Sequence, residues 1–111
     1  MPLGMGEPKT YSFARRETRI PMEVGVKIAG NVAPEEPETT FTENVSARGA
    51  RVWSVQRWKT NEHLTIATLP GSFHAKARVA YCEPVAGAGF AVGLEFVDAA
   101  GTWVVADCLG N

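Results

Sequence analysis

The stretch Phe73-His74-Ala75-Lys76-Ala77-Arg78-Val79-Ala80-Tyr81-Cys82 sets Phe73, Ala75, Ala77, Val79 and Tyr81 on one side of the chain and His74, Lys76, Arg78, Ala80 and Cys82 on the other. Successive side chains of an extended backbone point to opposite faces, so this two-residue period predicts a long strand with its apolar face on a core. The period recurs on both sides of it. Phe90, Val92, Leu94 and Phe96 alternate with Ala91, Gly93 and Glu95, and Met22, Val24, Val26 and Ile28 alternate with Glu23, Gly25 and Lys27. Residues 63–69 turn Leu64 and Ile66 inward and stop at Pro70-Gly71; residues 39–43 are β-branched and aromatic; residues 50–54 resume pairing after a corner. Six strand-like segments at short spacing, with no long amphipathic helix, predict an all-β barrel or sandwich. A barrel leaves no exposed edges, which an open sheet of this size would have.

The connections are polar or broken by glycine and proline. Residues 30–38 hold Gly30, Pro34, Pro37 and the carboxylates Glu35, Glu36 and Glu38, a solvated loop end with no histidine to make it a metal site. Residues 56–62 are polar apart from Trp58, and 84–89 turn the chain. Gly87-Ala88-Gly89 is no phosphate loop, because a strand rather than a helix follows it. Residues 97–101 read as a loop, and 102–109 as a short apolar tail around Trp103, either a helical turn or an edge strand. His63 reads as a surface histidine without a partner at metal spacing.

At 111 residues and 12.0 kDa the chain supports one core and no separate catalytic domain. The organisation read from these segments is a flexible leader over 1–12, a barrel over 13–98 and a short tail over 99–111. A formal net charge of -1 supplies no global field for gripping polymeric nucleic acid, so an anion site must be local. Cys82 and Cys108 have no metal spacing and are too few for a disulfide scaffold, which suggests a reducing interior. No signal peptide or apolar span is present, so the expectation is a soluble, cytoplasmic protein. No nucleophile-base pair, paired acid and base, or metal constellation is present, which argues against an enzyme and against a catalytic or metal site.

Two local motifs depart from this ordinary background. Arg15-Arg16-Glu17-Thr18-Arg19 crowds three guanidinium groups into five residues, and Ile20-Pro21 after it holds the run on an extended lead-in rather than a helix. The arginine fork grips phosphate oxygens two at a time and also fits the O6/N7 edge of guanine. Further on, Asn44-Val45-Ser46-Ala47-Arg48-Gly49 forms a corner, with two short hydrogen-bonding side chains and a glycine that allows the positive φ a tight reversal often needs. Alone it would be an Asx or Ser turn closing a hairpin. A third pattern interleaves Trp53 and Trp58 with Arg51, Arg57 and Lys59, as a single-strand nucleic-acid platform would, although packing accounts for the tryptophans more simply.

Arg-x-x-x-Arg before the first strand and Asn-x-Ser-x-x-Gly between the second and third together resemble the PilZ domain family, and Val92-Gly93-Leu94-Glu95-Phe96 resembles that family's final strand. The resemblance implies a six-stranded antiparallel β-barrel of the split-barrel type and a bacterial second-messenger ligand, cyclic di-GMP, with no further cofactor. It puts Arg15 and Arg19 on guanine edges and phosphates, Arg16 as an additional contact, and Asn44 and Ser46 on another guanine beside Gly49. Asn44 stands where the family more often has aspartate; the amide keeps an acceptor but loses a charge-assisted bond. The function so implied is a receptor module that relays binding to a downstream protein partner, the alternative being an adaptor that works by protein contact alone.

Overall fold

The computed structural model describes residues 18–30 and 37–105. The leader over 1–12, Arg15, Arg16, the acidic stretch over 31–36 and the end of the tail over 106–111 lie outside the described residues. The strands are β1 (Ile20–Pro21), β2 (Gly25–Gly30), β3 (Glu38–Ser46), β4 (Gly49–Ser54), β5 (His63–Thr68), β6 (Phe73–Pro84) and β7 (Phe90–Gly101). They pair antiparallel in the order β3-β2-β5-β6-β7-β4, and β4 returns to β3 to close a six-stranded barrel. The short β1 is an extra strand that takes over the edge of β3 where β2 leaves it, pairing Ile20 with Val45 and Pro21 with Asn44.

The gap between β1 and β2 is bridged by two backbone bonds to β3, from the Met22 N–H to the Glu43 carbonyl at 3.3 Å and from the Thr42 N–H to the Val24 carbonyl at 3.0 Å, and by one buried side chain. The Thr42 hydroxyl donates to the Met22 carbonyl at 2.6 Å and accepts from the Val24 N–H at 2.9 Å. It thus does for the interrupted strand what a ladder partner would do. Thr42→Val keeps the volume but orphans both backbone groups, and is expected to cost about 1–3 kcal/mol in urea unfolding. An unchanged midpoint would show that the two groups find other partners.

The core is built from the faces the alternation predicts. Val26, Ile28, Val45, Val52, Leu64, Ile66, Val79 and Val92 are buried. Two tryptophans close the ends. Trp58 enters from the β4–β5 connection and donates its indole N–H to the Ser54 hydroxyl at 3.0 Å. Its burial agrees with packing as the simpler account of this tryptophan and leaves the ring no free face on which to stack a base. At the other end Trp103 packs on Phe73 at 4.7 Å and edge-on to Phe96 at 5.0 Å between ring centroids.

Two irregularities correct the reading of the long strands. The β6–β7 register jumps from Val79↔Leu94 to Tyr81↔Gly93, so Ala80 is an extra residue that inverts the phase. Tyr81 therefore lies on the outer face, opposite the outward Gly93, while Cys82 pairs with Val92 and packs partly against the core. A second jump pairs Lys76 with Asp98 but Ala77 with Phe96, leaving Val97 as the extra residue. Past it the pairing resumes, and residues 97–101, expected as a loop, belong to β7. The strand reading at the corner is also too short, since β3 continues through Asn44 and Ser46.

Candidate functional site

The β3–β4 hairpin brings the two motifs together as far as they can be followed. Asn44 points outward and half-buried from β3, opposite Arg51 in register. Because Pro21 pairs with Asn44, the lead-in just before it passes over the same place, and Arg19 donates from Nη1 to the Asn44 Oδ1 at 3.3 Å. Arg15 and Arg16, four and three residues upstream of that contact, fall outside the described residues.

Ser46 and Gly49 shape the corner from inside. Ser46 is buried; its hydroxyl accepts from the Arg48 N–H at 3.4 Å and donates to the Gly49 carbonyl at 3.5 Å, and its own carbonyl accepts from the Trp103 indole at 2.7 Å. Gly49 is not at positive φ, so the turn does not use the freedom that a glycine there allows. Its requirement is space: a Cβ there would lie 2.2 Å from the Leu94 carbonyl oxygen on β7. The glycine therefore lets β4 and β7 approach next to the hairpin turn.

Beside this corner a surface pocket of about 160 Å³ is lined by Arg19, Arg48, Arg78, Ala80, Tyr81, Gly93, Leu94 and Glu95. Its floor follows from the register, which sets Asn44, Arg51, Gly93 and Tyr81 in one outward row across β3, β4, β7 and β6. A Cβ on Gly93 would lie 2.2 Å from the Tyr81 ring, so the missing side chain is what allows the ring to lie down on β7. Arg51 fixes the ring's far end. It donates from Nη1 to the Tyr81 hydroxyl at 2.9 Å and from Nε to Glu43, and stands 3.5 Å from Glu83. The hydrogen bond to Tyr81, assisted by Glu43 and opposed by partial burial, holds the Arg51 guanidinium above its ordinary value, so it is charged at any working pH.

Arg48, Arg78 and Tyr81 were absent from the predicted site, and Arg51 was read only with the tryptophans. No spacing rule joins residues 48, 51, 78 and 81, because barrel register alone makes them neighbours. The signal that could have found them is an outward glycine facing an outward aromatic residue across two strands, once the bulge at Ala80 is known. Chemically the site offers planar cations and an aromatic ring around a shallow opening, with Glu95 as its one lining carboxylate. Such a surface suits a flat, hydrogen-bonding anion.

The family model described as PilZ domain matches residues 13–102. No curated protein matches the chain.

Proposed function

The chain belongs to the PilZ domain family, and from that we propose that it is a bacterial cyclic di-GMP receptor, working in the cytoplasm, whose ligand sits between the lead-in over 15–19 and the β3–β4 corner. PilZ domains are in general cyclic di-GMP-binding modules and not enzymes. The observation that carries the reading for this chain is the 3.3 Å contact between Arg19 and Asn44, which joins the ends of two motifs 25 residues apart beside an arginine-lined pocket. Arg15 and Arg19 offer forks to guanine O6/N7 edges and phosphates, with Arg16 adding a further cation. Asn44 offers an amide acceptor to guanine N–H donors. Ser46, buried under the turn, contributes by fixing the backbone from which Asn44 and Arg48 project, and Gly49 by letting that turn sit close to β7. Ligand that bridges lead-in and barrel changes the surface presented there, and a downstream protein reads the change.

Calorimetric titration of the full chain tests this. Cyclic di-GMP is expected to bind saturably and GMP far more weakly, with affinity falling as salt rises, because phosphate contacts are screened. Equal heats for both nucleotides would sink the selective receptor reading, and no heat with either would leave a domain acting by protein contact alone.

A further inference from the structure

We propose that Arg78 is a phosphate-binding arginine of this site, held in reserve by Glu95 and handed over when ligand arrives; the inference rests on the reading of the site as one for cyclic di-GMP. Arg78 lies on β6, far in sequence from both motifs, yet lines the same pocket as Arg19 and Arg48. Its present partners are Glu95 and Asn61, the latter accepting from Nη1 at 2.7 Å.

The geometry of the Glu95 pair marks it as exchangeable. Arg78 Nε, at 3.0 Å, and Nη2 both converge on the single oxygen Oε1. Two donors share one acceptor, and the fork-to-fork arrangement that makes arginine–carboxylate pairs strong is not formed. A phosphodiester presents two non-bridging oxygens to the same fork. The pair is also open to water, with Arg78 at 35% and Glu95 at 54% side-chain exposure, so its net contribution is small and its loss inexpensive. Arg51 is the contrast. Its guanidinium is divided among Glu43, Tyr81 and Glu83 and stands over the Tyr81 ring, 5.6 Å from its centroid, so releasing it would undo the site's floor.

The exchange has a second effect on the pocket. Glu95 competes with an incoming phosphate for the Arg78 fork and, once released, can swing to solvent. Glu95 thus sets a threshold that the ligand must overcome. Neutral removal of that threshold should help binding only if it acts through Arg78.

The experiment is a double-mutant cycle read by calorimetry with cyclic di-GMP on the full chain, with Tm recorded for each variant to confirm folding. Arg78→Gln is expected to weaken binding on the order of tenfold, the loss of one bidentate charge-assisted contact, and to make affinity less dependent on salt. Arg78→Lys should recover only part of the loss, since an ammonium cannot bridge two oxygens. Glu95→Gln should strengthen binding by about threefold, in line with an exposed ion pair, and the gain should vanish when Arg78→Gln is already present. Wild-type binding with unchanged affinity in Arg78→Gln overturns the inference and leaves the receptor reading standing. A Glu95→Gln gain that persists without Arg78 also overturns it, because Glu95 would then act as a general repulsive charge. No binding by the wild-type chain overturns both.

Discussion

Gly49→Ala is expected to lower stability by about 3 kcal/mol or more, at the upper end of the cost of overpacking a closed interior. The added Cβ would sit 2.2 Å from the Leu94 carbonyl oxygen and 3.4 Å from its carbon. Both are backbone atoms of β7, locked by the pairs Gly49↔Glu95 and Ala50↔Leu94, so relief requires opening the β4–β7 seam. That seam closes the barrel together with β3–β4, and the loss should be global rather than local. In a domain of this size it corresponds to a fall in Tm of roughly 10–20 °C. Gly93→Ala provides the control. Its Cβ would lie equally close to a neighbour, but the neighbour is the Tyr81 ring, which can rotate away. Its cost should be the smaller of the two, with Tyr81 displaced from Arg51. A Gly49→Ala melting point within a few degrees of wild type would remove the argument from close approach.

The alternation in residues 22–29, 63–69, 73–82 and 90–96 was enough to read the barrel, because a closed sheet with one buried face writes its period directly into the chain. What escaped has specific causes. Ala80 and Val97 each insert one residue into a ladder, and nothing in their chemistry announces it. The phase error at Ala80 sent Tyr81 to the core and Cys82 to the surface, and that at Val97 made a strand look like a loop. The Asn44 corner and the arginine lead-in were legible as local motifs. Their neighbours Arg48, Arg51, Arg78 and Tyr81 were not, since cross-strand register, which no short spacing encodes, brings them together.

The arginine lead-in carries the largest expected effect on binding. Arg15→Ala and Arg19→Ala are each expected to weaken cyclic di-GMP binding tenfold or more, since one bidentate guanine contact contributes about 1–3 kcal/mol. For Arg19 the fold should be untouched: its side chain is exposed and its hydrogen bond to Asn44 is a long one at 3.3 Å. The companion change is Asn44→Asp. Asn44 lies beside Arg19 through that bond and opposite Arg51 through the β3–β4 register, so a carboxylate there would face two guanidinium groups. It would hold Arg19 in place before ligand arrives and offer guanine N–H donors a charged acceptor, and affinity is expected to be preserved or raised. The opposite outcome has a clear physical source, because an added negative charge also repels the ligand's phosphates. Calorimetry at two salt concentrations separates the two effects: repulsion fades with screening, whereas preorganisation does not. Wild-type affinity in both alanine variants would show that the ligand does not use the lead-in, and the site would have to be sought elsewhere on the barrel.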